Sequence, residues 1–275
     1  MAPKLRSSTA ADTGKKAKKR RVGERSDRGE GAEASESDED KAAMSPPIAL
    51  CNRTMMEGLK HLSKVDPVLA TLIKKHDTPP KLLPNTKDKA FASLCKSIVC
   101  QQLSSASAGS ILKKFENLCG DVEPEVISNL TEGQLRSAGL SKRKASYIQD
   151  LSTFFCDGRL SDESLAGMSN DDVQEALIAV KGIGVWTVHM FSIFHLGRPD
   201  ILPVGDLAVR KGFHLAYELD ALPKEDEMTR ISDCWRPYRS LGAFYMWKAL
   251  ESSSAAKSPV KKKKSAKKDT EDVPE

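Results

Sequence analysis

Between residues 47 and 252 the apolar side chains recur at every third or fourth position, and no segment alternates at every second position as a strand would. In 87–101, Phe91, Leu94 and Ile98 share one face with Gln101; in 143–155, Ala145, Ile148, Leu151 and Phe155 do the same. Ser169, Asn170 and Asp171, all good N-cap residues, precede Val173, Leu177 and Val180 in 171–180. Further helices are expected over 207–218 and from about Tyr238 to Leu250. The spacing predicts an all-α chain, and about 200 residues are enough for one or two compact helical subdomains.

Charge separates this middle from the two ends. The chain carries 43 Lys and Arg against 38 Asp and Glu, a formal +5. Residues 1–46 hold 11 basic and 9 acidic side chains, 253–275 hold 7 and 4, and 47–252 hold 25 of each. A histone-like polycation is excluded, although a neutral domain can still gather cations on one face. The ends are polar and lack aromatic residues, so they are expected to be disordered tails flanking a 47–252 domain. Lys15 to Arg21 forms one basic tract, and Lys261–Lys264 with Lys267 and Lys268 another; Glu36 to Asp40 is acidic. Such tracts suit nuclear import receptors or loose phosphate contacts, and they place the expected location in the nucleus. No run of 18 apolar residues suggests a membrane span, and the N-terminus has no secretory h-region. The cysteines at 51, 95, 100, 119, 156 and 234 form no C-x-x-C pair and have no histidines at zinc spacing, so reduced thiols are expected.

The segment Ala179-Val180-Lys181-Gly182-Ile183-Gly184-Val185-Trp186-Thr187 reads as the end of one helix, a Gly-x-Gly hairpin and the start of another. Two glycines permit positive φ and close backbone approach, and the free amides of a new helix make an anion site suited to a DNA phosphate. An ordinary Gly-capped turn would have the same letters. A looser echo of this pattern, 133–151 against 174–193, suggests a repeated helix–hairpin–helix unit. Downstream, after a break at Gly197-Arg198-Pro199, comes Leu202-Pro203-Val204-Gly205-Asp206, which puts a carboxylate at the start of a helix 22 residues past Gly184.

This combination resembles the helix–hairpin–helix (HhH-GPD) DNA glycosylases, whose signature is a hairpin, a Gly/Pro-rich loop and an essential Asp. SIVCQQLSSASAGSIL (97–112) is similar to that superfamily's early helix and DNA-probing loop, and CWRPYRSLGAFYMWKAL (234–250) to its closing segment, so the likeness covers roughly 55–250. It is strongest to the 3-methyladenine DNA glycosylase II branch. Bifunctional members carry a Schiff-base Lys just after the hairpin, where Trp186 stands here, and iron–sulfur relatives end in four clustered Cys that this chain lacks.

The resemblance implies a two-subdomain helical fold and a monofunctional DNA glycosylase that flips alkylated purines out of double-stranded DNA and hydrolyses the N-glycosidic bond. Asp206 would stabilise the oxocarbenium-like transition state and orient or deprotonate the attacking water, unless it serves only as the N-cap of 207–218. Trp186 and Trp247 would line the base pocket, with Met190 in place of a bacterial aromatic and Tyr238 and Tyr245 as further candidates; each could instead be a core residue, as Trp235 is expected to be. Gln102 or Leu103 matches the side chain that fills the gap left by the extruded base. Lys181, Gly182, Ile183 and Gly184 would meet a phosphate, with Lys142, Arg143 and Lys144 either on the other side of the backbone or merely solvated. The carbonyls of Ile178, Val180 and Ile183 could hold Na+ or K+, and no other cofactor is implied. A monomer is expected. Two alternatives remain at this level: a non-catalytic helix–hairpin–helix DNA-binding module that recruits repair partners, which would not need Asp206, and a bifunctional glycosylase/lyase using a displaced lysine such as Lys181.

Overall fold

A computed structural model describes residues 49–76 and 79–257. The tails, with the Lys15–Arg21 and Lys261–Lys268 tracts, lie outside the described residues. The described residues are helical and contain no strand: α1 Asn52–Val65, α2 Pro67–Lys75, α3 Ala90–Cys100, α4 Ser105–Cys119, α5 Pro124–Ser128, α6 Glu132–Ser137, α7 Lys142–Cys156, α8 Asp162–Gly167, α9 Asn170–Ile178, α10 Val185–Phe194, α11 Leu207–Ala216, α12 Glu225–Ile231 and α13 Arg239–Lys257. Five of these, α3, α7, α9, α11 and α13, correspond to the segments expected from periodicity; the largest difference is α13, which continues seven residues past the expected end at Leu250.

Two cores form. In the first, Phe91, Leu94 and Ile98 of α3 meet Phe115 of α4, Ile148 and Leu151 of α7, and Val188 and Phe191 of α10. In the second, Leu62 and Leu69 of α1 and α2 meet Ile193 of α10, Val209 and Phe213 of α11, and Met246 of α13. Helix α10 is apolar nearly all round because it faces both. Trp235 is fully buried in the second core as expected, its ring stacked 5.1 Å from Phe213.

A buried carboxylate that the residue pattern did not single out ties this second core together. Asp66 N-caps α2 through the amides of Val68 (2.9 Å) and Leu69 (3.1 Å). Its other oxygen accepts the indole N–H of Trp235 (2.8 Å) and the hydroxyl of Tyr217 (2.5 Å). Four donors satisfy a group whose burial would otherwise be costly. A buried Arg198 bridges back to the first core by donating to the carbonyls of Leu165, Ala166 and Met168 at the end of α8.

The two helix–turn–helix units echo one another in geometry. Gly139-Leu140-Ser141 leads into α7 and Gly182-Ile183-Gly184 into α10. The first glycine of each has positive φ (96° and 83°) and the following apolar residue is buried. The cap is where they part. Ser141 closes its helix by accepting the Lys144 amide (3.3 Å), whereas Gly184 has no side chain with which to cap α10. The second unit therefore lacks the side-chain cap bond of the first and leaves its leading amides, that of the third residue included, to an outside acceptor.

Candidate active site around the hairpin and Asp206

The hairpin is braced from two sides. The ring of Tyr147 from α7 packs so closely on Gly182 that a Cβ there would overlap it. Gln101, at the end of α3, donates from Nε2 to the carbonyl of Gly182 (3.0 Å). The neighbouring Gln102 sits at φ 55° in the turn between α3 and α4, an uncommon conformation for a non-glycine residue and one that recurs at functional sites. Gln102 is exposed, and both it and Leu103 line the cleft described below, so the sequence-based wedge candidates stand at the hairpin's edge.

Two expectations about the surrounding lysines are corrected. The Lys181 amide and ammonium both turn to Asp150 (2.9 and 3.0 Å), so that amide is not open to a phosphate. Lys144 does not reach outward. Its ammonium donates to the carbonyls of Val99 (2.8 Å) and Gln101 (2.7 Å) and so caps α3, with burial pulling its pKa down. Lys142 and Arg143 remain exposed at the start of α7. Ile183 is an anchor: its side chain is buried and its amide bonds the carbonyl of Val180 (3.2 Å).

Asp206 lies at the N-cap of α11. One oxygen accepts the Val209 amide (2.8 Å) and the indole N–H of Trp247 (3.1 Å); the other accepts the indole N–H of Trp186 (2.8 Å). The cap is therefore real, and it coexists with a position facing two aromatic rings. Asp206 is 9% exposed, while Trp186 is 46% and Phe194 44% exposed. Phe194 leans on Trp247, ring centres 5.6 Å apart, so a carboxylate is surrounded by open aromatic surface. This is unusual for large rings in a folded domain unless something binds them.

Trp186, Met190 and Phe194 lie at i, i+4 and i+8 along one stripe of α10 and line a cleft of about 850 Å³, with Gln102 and Leu103 on its rim. The aromatic missing at Met190 is thus supplied one turn later. The 3.6-residue spacing from Trp186, applied two turns on, points to Phe194. Neither tyrosine candidate contributes. Tyr245 is 1% exposed in the second core, packed edge-on against Phe244, and Tyr238 packs on Gly58 and His61 of α1. All six cysteines are unpaired thiols, and among the described residues no group of three or more Cys, His, Asp or Glu is placed to hold a metal ion.

Fold and site together define a helix–hairpin–helix DNA repair protein. Residues 95–237 match the family described as HhH-GPD superfamily base excision DNA repair protein. The Schizosaccharomyces pombe alkylbase DNA glycosidase-like protein mag2 is 31% identical over 193 residues, 68% of this chain and 90% of that protein. The crystal structure of a DNA-3-methyladenine glycosidase from Bacillus halodurans superposes with a TM-score of 0.65 at 35% identity, over 72% of this chain and 91% of that one. The Schizosaccharomyces pombe 3-methyladenine DNA glycosylase Mag1, in complex with abasic-DNA, superposes with a TM-score of 0.62 at 29% identity, over 70% and 95%. The chain belongs to the HhH-GPD superfamily of base excision DNA repair proteins, among its DNA-3-methyladenine glycosylases.

Proposed function

We propose that this glycosylase extrudes alkylated purines of the 3-methyladenine and 7-methylguanine type from duplex DNA and hydrolyses their N-glycosidic bond, leaving an abasic site. The observation that carries this reading is Asp206, clasped by one backbone amide and two indole N–H groups, one of them from Trp186 in the wall of the aromatic cleft.

The chemistry follows from charge. As the C1′–N bond breaks, its electron pair leaves with the base and C1′ becomes positive. The Asp206 carboxylate, held by fixed dipoles in a largely dry site, stabilises that charge without reorganising. Water then adds through oxygen to C1′ and gives up a proton, for which Asp206 is the acceptor at hand. A methylated purine is already cationic and departs neutral, so no general acid is required. The faces of Trp186, Phe194 and Trp247 attract a cationic base by about 0.5–2 kcal/mol per ring. Trp186 offers no amine for a Schiff base and Lys181 is paired with Asp150, which favours hydrolysis over strand cleavage.

Bare amides at Gly184 and the start of α10 receive a backbone phosphate, and Gln102 or Leu103 fills the vacated stack. The carbonyls of Ile178, Val180 and Ile183 suit a Na+ or K+ ion that would stiffen the hairpin, although that of Val180 already accepts the Ile183 amide. The basic tracts of the tails support import into the nucleus through import receptors, and the protein acts as a monomer on DNA.

The test is single-turnover base release from methylated duplex DNA by wild type and Asp206→Asn. Asn keeps the cap bond from Val209 but turns its amide N–H2 toward the Trp186 indole N–H, so the variant should lose about 1.5–3 kcal/mol of stability and is assayed well below its melting temperature. It should release base on the order of 10²- to 10³-fold more slowly. Wild-type rates in the variant would remove Asp206 from the chemistry, and strand cleavage with borohydride trapping would support a lyase instead.

A further inference from the structure

The cleft holds more than aromatic surface. Its volume, about 850 Å³, lies within the range that accommodates a drug-sized ligand, so an extruded base leaves its far edge facing protein. Part of the cleft's wall is polar. Asp88 and Lys96 lie in that wall as an ion pair (3.1 Å), each side chain about one-third exposed. Asn85 fixes the carboxylate with a second hydrogen bond (3.2 Å), and Glu116 stands 3.8 Å from the Lys96 ammonium. His195 also lines the cleft, 8% exposed and stacked on Phe191 at 4.7 Å, with its Nδ1 buried and unpartnered. Burial lowers the imidazole pKa, so it adds no positive charge at neutral pH. Lys96 lies five residues before Gln101 on α3, a rise of about 7.5 Å from the hairpin rim.

We propose that Asp88 and Lys96 set the charge preference of the base pocket. Asp88 attracts a cationic purine and accepts from its exocyclic amino group, and Lys96 opposes that attraction. The selector rests on the glycosylase reading above and goes beyond it, because it names how a cationic base is told from a neutral one. The two members of the pair act with opposite sign, which a purely structural ion pair would not do.

The experiment measures dissociation constants for duplexes carrying 7-methylguanine (cationic) or hypoxanthine (neutral), in an Asp206→Asn background so that release is slow relative to binding. Asp88→Asn should cut the preference for 7-methylguanine about five-fold, and Lys96→Met should raise it by a similar factor. Each ratio is taken on one protein sample, so partial unfolding cancels, and thermal melting of both variants checks the fold. Ratios within two-fold of the parent in both variants, or shifted in the same direction, would overturn the proposal. Failure of the glycosylase reading shows separately, as absent 7-methylguanine release by the wild type or undiminished release by Asp206→Asn.

Discussion

Gly212 is where a single methyl group should uncouple the reacting carboxylate from its aromatic clasp. It lies on α11, the helix that Asp206 caps, against α13, the helix that carries Trp247. A Cβ at 212 would stand 2.6 Å from the carbonyl carbon of Met246 and 2.8 Å from its Cα. Carbon atoms in ordinary contact are about 3.5–4.0 Å apart, so α11 must retreat by about 1 Å, and the neighbour is backbone that no rotamer change can move. Overpacking of this kind costs about 1–3 kcal/mol, here at the upper end. Replacing a helical glycine by alanine returns about 1 kcal/mol. The net of about 2 kcal/mol should lower the melting temperature of Gly212→Ala by about 4–8 °C for a domain of this size. The same retreat stretches the 3.1 Å bond between Trp247 and Asp206 beyond hydrogen-bonding range. A hydrogen bond to a charged group is worth about 1.5–3 kcal/mol, so base release should slow about ten- to one-hundred-fold. Differential scanning fluorimetry and single-turnover release, run well below both melting points, read the two effects apart. A Gly212→Ala protein that melts with wild type and releases base at the wild-type rate would show that α11–α13 packing does not position Asp206.

The two hairpin glycines should answer differently to the same substitution. Gly184→Ala meets no atom within 4 Å and keeps an ordinary φ of −112°, so it should melt normally yet weaken binding to duplex DNA through crowding of the phosphate. Gly182→Ala, at φ 83° against the Tyr147 ring, should lose both stability and affinity, and Tyr147→Ala in the same chain should recover only the steric part; full DNA affinity in Gly184→Ala would argue against phosphate approach there. Stability should fall as pH drops from 7 to 5, because burial depresses the pKa values of His189 and His195 in the folded state. Below the usual histidine value of about 6.5 the unfolded chain takes up protons that the folded one refuses, and the loss is complete once pH has passed the folded pKa values. His195→Phe, which keeps the stack on Phe191, should flatten the pH dependence of the melting temperature, and an unchanged slope would exclude His195 as a contributor.

Much of this arrangement is written locally in the chain. Periodic apolar residues locate the helices, the Gly182-Ile183-Gly184 turn and the Pro203–Asp206 approach declare themselves in a few letters, and Asp is a cap type wherever it precedes a helix. What the residues do not state is direction. Tyr245 and Trp247 are two positions apart on α13 and so about 200° apart around it, which sends one ring into the core and the other to Asp206. Both are aromatic, and composition does not say which is which. Nor does a lysine announce that it will reach back to carbonyls more than 40 residues away, as Lys144 does to Val99 and Gln101. Asp66 reads as a helix cap before Pro67, yet its second oxygen finds partners more than 150 residues later. Tertiary contacts decide these cases, and local pattern carries no information about them.

On the proposed reading, a domain with no net charge can still act on DNA because α10 and its connections keep a phosphate at the hairpin in register with Asp206. The helix begins at the bare amides after Gly184, walls the cleft with Trp186, Met190 and Phe194, and is held on both flanks by the two cores. The loop leading from it to Asp206 is fastened to α13. Ser240 Oγ accepts the Ile201 amide (2.9 Å) and donates to the Arg198 carbonyl (2.7 Å), while Arg239 grips Asp200 with two side-chain bonds (2.6 and 3.0 Å). A phosphate seated at the hairpin as proposed would hold the attached sugar in a fixed relation to Asp206. Binding energy from one or two backbone contacts is spent on orientation at the reacting carbon, where it lowers the barrier. Broad positive charge would strengthen the grip on any duplex without improving that register, so a neutral domain with few, rigid phosphate contacts suits the chemistry.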